Sequence, residues 1–327
     1  MTGKTILVTG AAGFIGSHTA AALIDRGDQV VGIDNLNDYY DPARKRANLK
    51  ELSALPGADK SFTFVEGDIR NRPLLRELFD KHRFTAVAHL AAMAGVRVSV
   101  DDPWLYYDVN LTGTLNLLDA AREFGKPNFV LASTSSAYGN TTQVPFIETD
   151  SADRPLAPYP ASKRSCELLG HSYHHIHALD FTALRFFTVY GPRGRPDMLA
   201  YKLLDAMRSG QPMPLYNGGQ MHRDWTFVSD IVQGVVAATD RRLGYEVINI
   251  GRGEPVLLAD FVRSLEEMAG RSAPVRSEPM MRADVSYTYA DISKARKLLG
   301  YEPRVSVADG ARRFFDWYCS AVSPLSR

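Results

Sequence analysis

The sequence predicts an α/β protein, a parallel, doubly wound sheet with a smaller C-terminal substrate-binding lobe. Three observations carry this. Short apolar strand patterns alternate with longer helical ones over roughly the first 190 residues, as in βα units whose strands are buried on both faces. The first strand feeds a glycine-rich turn that opens directly into a helical pattern. Beyond about residue 190 the texture changes. Gly and Pro cluster at Gly191-Pro192-Arg193-Gly194-Arg195-Pro196 and around Pro212 and Pro214, and the elements shorten. The expected division is a dinucleotide-binding domain over 1–190 and, over 191–327, mainly a substrate lobe interleaved with it.

The elements follow in order. Ile6-Leu7-Val8-Thr9 is a short, β-branched apolar run, suited to a buried parallel strand. It leads into Gly10-Ala11-Ala12-Gly13-Phe14-Ile15-Gly16 and a helix through Leu23 and Ile24. In this loop Gly10 permits the turn, Gly13 lets a pyrophosphate approach the backbone, and Gly16 lets helix and strand pack closely. The helix N-terminus offers free N–H groups to the phosphates. A second strand, Gln29 to Ile33, ends at Asp34. That acid stands about 20 residues after the glycines, where it accepts hydrogen bonds from the adenosine ribose. Its charge would repel a 2′-phosphate, so NAD is favoured over NADP. Arg44, Lys45 and Arg46 read as a solvated helix face. Further strands are expected at Ser61–Val65, Thr85–Leu90, Asn128–Ala132 and Phe181–Phe187, with helices between them that include Trp104–Phe124 and Tyr159–His177. Ligands of such a sheet lie beyond the strands' carboxyl ends. Gly10 to Gly16, Asp34, Asp68-Ile69, Leu90-Ala91-Ala92 and Ser133-Thr134-Ser135 are all expected there.

Composition narrows the functional class. At 45% hydrophobic and 23% charged, the 327 residues are ordinary for a globular protein with an ample core. A net charge of +1 supplies no pull toward nucleic acid or an anionic membrane. Cys166 and Cys319 form neither a zinc spacing nor a disulfide framework, and no metal site is expected. No apolar stretch reaches the roughly 18 residues of a membrane span. A reducing, cytoplasmic setting is expected.

Catalysis is suggested by Tyr159 and Lys163, a Tyr-x-x-x-Lys on one helix. Four residues are about one turn, so both side chains emerge on one face. A phenol titrates near 10 and is a poor base at neutral pH. A neighbouring ammonium favours the phenolate, which can then take a proton from a sugar or alcohol hydroxyl while hydride leaves the same carbon. Such a pair also arises by chance on helix surfaces. The dinucleotide loop in the same chain is what gives it meaning.

Taken together, these residues resemble the extended short-chain dehydrogenase/reductase family, a Rossmann-fold group, over nearly the whole chain. The resemblance rests on Thr9 to Ser17, Gly67-Asp68-Ile69, His89-Leu90-Ala91-Ala92, Asn110-Leu111-Thr112-Gly113-Thr114, and Tyr159 with Lys163. Within that family the chain is most similar to the UDP-glucuronate 4-epimerases. The narrower likeness rests on Asp34-Asn35-Leu36-Asn37-Asp38-Tyr39-Tyr40-Asp41, Ala94-Gly95-Val96-Arg97 and the run from Arg185 to Met198. It implies a triad of Thr134, Tyr159 and Lys163. Asp68 and Ile69 would flank the adenine, Leu90, Ala91 and Ala92 would line the cofactor, and Asn35 and Asn110 would join them. Lys163 would hold the nicotinamide ribose. A UDP-sugar would be bound by Arg97, Tyr216 at the uracil, and Arg223 and Arg282 near the nucleotide, and the resemblance also implies a homodimer. Pro160, Val98 and Met281-Arg282-Ala283-Asp284 depart from the family's usual residues.

Related dehydratases place an Asp-Glu pair just after the triad hydroxyl, and related decarboxylases carry a Glu nearby. Ser135, Ser136 and Ala137 offer neither. Small hydroxyls from Thr134, Ser135, Ser136 and Thr188, with Arg195, suit a carboxylate. The expected reaction is inversion of C4 of UDP-glucuronate through a 4-keto sugar, with NAD tightly bound and regenerated. Two alternatives stay open at this point: a UDP-glucose/UDP-galactose 4-epimerase, and a non-catalytic NAD-binding redox sensor.

Overall fold

In the computed structural model, which describes residues 3–322, the strands are β1 Thr5–Thr9, β2 Gln29–Asp34, β3 Phe62–Glu66, β4 Ala86–His89, β5 Asn128–Thr134, β6 Phe181–Phe186, β7 Thr188–Tyr190, β8 Met213–Tyr216, β9 His222–Phe227, β10 Tyr245–Ile250, β11 Pro255–Leu257 and β12 Val275–Glu278. Seven of them form one sheet in the order β10-β6-β5-β4-β1-β2-β3. Every pairing in it is parallel. The strand order reverses between β1 and β4, and the crevice at their carboxyl ends is where a doubly wound sheet binds its ligand. The Rossmann sheet expected from sequence is therefore present.

Strand β10 is the one strand of this sheet that the sequence reading did not single out. Tyr245-Glu246-Val247-Ile248-Asn249-Ile250 mixes polar with apolar residues, yet it pairs along β6 from Tyr245 against Phe181 to Ile250 against Phe186. Asn249 is completely buried. Its amide donates to the Phe146 carbonyl at 2.9 Å, and its carbonyl oxygen accepts from the Tyr138 hydroxyl at 2.7 Å. A polar residue so paired is tolerated in the core. The smaller sheets, β11-β9-β7 and β12-β8, lie in the later part of the chain.

Two helical segments frame the site. One spans Pro158–His177 and begins with Pro158 in its first turn. Pro160 is accommodated there because N–H groups of the first turn have no intrahelical acceptor. The other runs from Pro103 to Glu123, with a π-helical turn over Tyr107–Thr112. That turn carries Asn110. Its side-chain oxygen accepts from the Met93 N–H at 2.8 Å, and its NH₂ donates to the Met93 carbonyl and to Ser162 Oγ. It ties the loop after β4 to the Pro158–His177 helix. Such π turns are frequent at functional sites.

Candidate active site

A cleft of ≈ 390 Å³ opens at the carboxyl ends of the main sheet, a size within the range of small-molecule sites. Its dinucleotide end is built by β1, the glycine loop and the helix Phe14–Asp25. Gly10 has a φ of +70°, and a Cβ there would stand 2.8 Å from the Ala91 nitrogen. At Gly16 a Cβ would fall 1.9 Å from the Gly10 carbonyl oxygen. No side chain caps the helix at Gly13, so its first N–H groups are left for a phosphate. Asp34 accepts from the N–H groups of Ala12 and Leu36. Burial pushes its carboxyl up, and Lys45 opposes that shift. Asn35 donates to Asp68 at 2.9 Å. Arg70 holds the Asp68 carboxyl down to about 2. The Leu90 and Ala91 N–H groups point to Thr9 Oγ1 at 3.1 and 3.0 Å.

Gly10, Gly13, Phe14, Ile15, Gly16, Asp34, Asn35, Asp68, Ile69, Leu90, Ala91, Ala92, Tyr159 and Lys163 all line this cleft. Asn110 does not. Its amide is spent on Met93 and Ser162, so it shapes the wall from behind. Lys45 also departs from the sequence reading. It is 5% exposed, reaches to 3.9 Å from Asp34 and donates to Asn37 at 2.7 Å. Its place in a run of three basic residues made it look solvated, although the helix Pro42–Ser53 turns this one inward.

At the other end Thr134, Ser135, Ser136, Tyr159, Lys163, Thr188 and Arg195 converge. Thr134 ends β5, and its hydroxyl accepts from the Ser136 N–H at 3.1 Å. Among the described residues the hydroxyls of Ser135, Ser136 and Thr188 donate to no protein group. The Tyr159 ring meets that of Tyr106 edge-on. Burial raises the Tyr159 phenol above its ordinary value, opposed by the Arg195 charge and then by Thr134. Lys163, the cation the sequence pointed to, lines the same end of the cleft. Burial lowers the Lys163 ammonium. Cys166 and then the Glu167 carboxylate, both further along the same helix, resist that fall.

The expected nucleotide residues form a separate group. The Arg97 guanidinium lies over the Tyr216 ring at 3.8 Å and pairs with Asp284 at 2.7 Å. Burial lowers Arg223, and Asp284 opposes it. Arg282 sits exposed on the turn that carries Asp284 and is not drawn into this group. Asp284 is a participant that sequence reasoning missed, because only the folded turn brings it to Arg97.

Residues 6–251 match the model of the NAD dependent epimerase/dehydratase family. The chain belongs to that family. It is 43% identical over 312 residues to a UDP-glucuronate 4-epimerase of Thermodesulfobacterium geofontis, with 95% of each chain covered. It is similar to the crystal structure of UDP-glucuronic acid 4-epimerase from Bacillus cereus in complex with UDP-glucuronic acid and NAD. That likeness has a TM-score of 0.88 and 38% identity, and covers 96% of this chain and 98% of the other. A UDP-glucose 4-epimerase from Thermotoga maritima with UDP-glucose gives the same TM-score at 31% identity, covering 98% and 100%. An NAD-dependent family fits the cradle observed here: two glycines with no room for a Cβ, an uncapped helix terminus, and an acid at the end of β2.

Proposed function

We propose that the chain is an isomerase that interconverts UDP-glucuronate and UDP-galacturonate by inverting C4, with NAD as its resident cofactor. The observation that carries this reading is the donor array beside Tyr159. The hydroxyls of Ser135, Ser136 and Thr188 and the guanidinium of Arg195 open on one end of the cleft, and the acid that meets them, Asp197, is already paired with Arg195 and does not line the cleft. A carboxylate on C5 of the sugar is the substituent such an array fits.

The chemistry that NAD supplies when bound is reversible hydride storage, which takes C4 through a ketone and back. The protein's part is proton transfer and positioning. Tyr159 Oη removes the proton from the 4-hydroxyl and later returns it. Thr134 and Arg195 favour the phenolate that this requires. Gly10, Gly13, Gly16 and Asp34 hold the dinucleotide, and Lys163 holds its second ribose. Arg97, Tyr216 and Arg223 take the UDP. A 4-keto uronate is a β-keto acid, prone to lose carbon dioxide when its carboxylate aligns with the developing enolate. Ser135, Ser136, Thr188 and Arg195 hold the carboxylate out of that alignment.

Arg195→Ala tests this. A hydrogen bond to a charged group contributes about 1.5–3 kcal/mol, so kcat/KM on UDP-glucuronate should fall about 10-fold to 100-fold. UDP-glucose and UDP-galactose should lose little, and UDP-pentose and carbon dioxide should appear from the acid. Equal losses on acidic and neutral sugars would overturn the assignment of Arg195 to the carboxylate.

We also propose a homodimer in the cytoplasm. Trp104 is 85% exposed, Tyr107 and Leu115 continue its apolar face along the Pro103–Glu123 segment, and Val100 is exposed in the short helix Val98–Asp101 just before it. Leu168 and Ile176 are exposed on the Pro158–His177 helix, which packs against that segment. A second copy of the chain covers such a pair of helices by symmetry. Light scattering should give twice the chain mass, and Trp104→Lys should shift it toward one. A monomeric mass for the unaltered chain at micromolar concentration contradicts the dimer.

A further inference from the structure

We infer that Asp197, held by Tyr39, is a positioning residue that clamps Arg195 so that the free edge of its guanidinium faces the sugar carboxylate. This rests on the carboxylate role of Arg195 proposed above and adds the means by which the arginine is aimed. A guanidinium offers two forks, a side edge of Nε with one Nη and an end edge of both Nη atoms. Asp197 takes the side edge. Arg195 Nε donates to its Oδ1 at 2.9 Å, and Nη2 donates to its Oδ2 at 3.0 Å. The Tyr39 hydroxyl donates to that same Oδ2 at 3.2 Å. The Tyr39 ring also lies 5.9 Å from the guanidinium carbon.

Arg195 Nη1 donates to no group among the described residues, and it is not one of the buried polar atoms left without a partner. The end edge is therefore the one left without a protein partner, on a side chain that lines the cleft together with Tyr39. Burial pushes the Asp197 carboxyl up, and Arg195 and Tyr39 bring it below its ordinary range, so it stays ionised. The arrangement fixes a flexible side chain at folding rather than at binding, which lowers the entropic cost of capturing the carboxylate. It also leaves the substrate carboxylate sharing the guanidinium with a second anion. The grip is then directional more than tight, as suits a ring that has to turn between the two hydride transfers.

The test is a double-mutant cycle on the NAD-loaded protein. Asp197→Asn keeps the shape and removes the charge. Its kcat/KM for UDP-glucuronate should fall about 10-fold to 100-fold, the scale on which an ångström of misplacement acts. The loss should fall mainly on KM, with a larger UDP-pentose fraction and neutral UDP-sugars unchanged. Tyr39→Phe, which removes only the tether, should act in the same direction and less. In an Arg195→Ala background, Asp197→Asn should have no further effect. The proposal fails if Asp197→Asn alters acid kinetics less than twofold, if it lowers neutral sugars equally, or if its loss persists without Arg195. Should Asp197→Asn not fold, Tyr39→Phe decides alone, and an unchanged product ratio overturns the clamp. Failure of the underlying reading shows separately, as an Arg195→Ala single variant that does not discriminate acidic from neutral sugars.

Discussion

Tyr159→Phe should lower epimerase turnover by about 100-fold to 10,000-fold, the usual contribution of a general base, while the protein keeps its fold and its NAD. In the proposed mechanism the hydroxyl is the one atom of this residue that takes the proton. The rest of the side chain stays the same. Its ring still meets Tyr106, and its backbone N–H still donates to Ser99 Oγ at 3.1 Å. The glycine loop and Asp34 lie at the other end of the cleft and do not sense the change. The check is turnover of UDP-glucuronate beside release and identification of the dinucleotide after denaturation. A variant that keeps more than about a tenth of the rate would mean that another group is the base.

The largest effect on stability is expected at Glu167, in the core beneath the site. Its carboxylate accepts from Arg185 Nε at 3.0 Å and Nη2 at 2.8 Å, from Arg164 at 3.0 Å, and from the Ser133 hydroxyl at 2.5 Å. Arg185 is 1% exposed and lies over the Tyr138 ring at 4.5 Å. One carboxylate thereby joins the Tyr159 helix to β5 and β6. Glu167→Gln leaves the Arg185 charge buried without its counterion, which typically costs about 3–5 kcal/mol. Replacing both partners, with Glu167→Leu and Arg185→Met, should restore most of that stability because no unpaired charge remains. Denaturant unfolding of the single and double variants is the measurement. A Glu167→Gln midpoint equal to that of the unaltered chain would show that Arg185 finds another partner. Because Ser133 precedes Thr134, activity of the folded fraction should drop as well.

Glu167 was within reach of the sequence. Tyr159, Lys163 and Glu167 recur every fourth residue on one helix face, and an acid in register with a buried ammonium is a readable signal. The glycine loop and Asp34 were legible for a similar reason, since each element of that site is fixed by its neighbours in the chain. Other features depend on the fold. Lys45 shares its short run with two other cations, and only the docking of the Pro42–Ser53 helix separates it from them. Arg195 and Asp197 are two residues apart, a spacing equally compatible with two solvated charges, and their pairing follows from burial in the cleft. Arg97, Tyr216 and Asp284 come from three distant segments that no periodicity connects. Strand β10 was hidden because Glu246 and Asn249 interrupt its apolar pattern, and their partners lie far away in the chain.

That last strand bears on how sugar preference can be exchanged within this family. The helix Val228–Thr239 packs on the helix Phe14–Asp25, and β10 lies along β6. The stretch from 228 to 250 thus belongs physically to the cofactor sheet, while β7, β9 and β11, before and after it, form a sheet of their own. A recombinant joining two relatives at a single crossover near residue 190 would seat a foreign edge strand against β6 and a foreign helix against the glycine-loop helix. A chimera that leaves 228–250 with its own first half, and replaces the flanking pieces in two separate grafts, respects the seams along which the molecule is assembled.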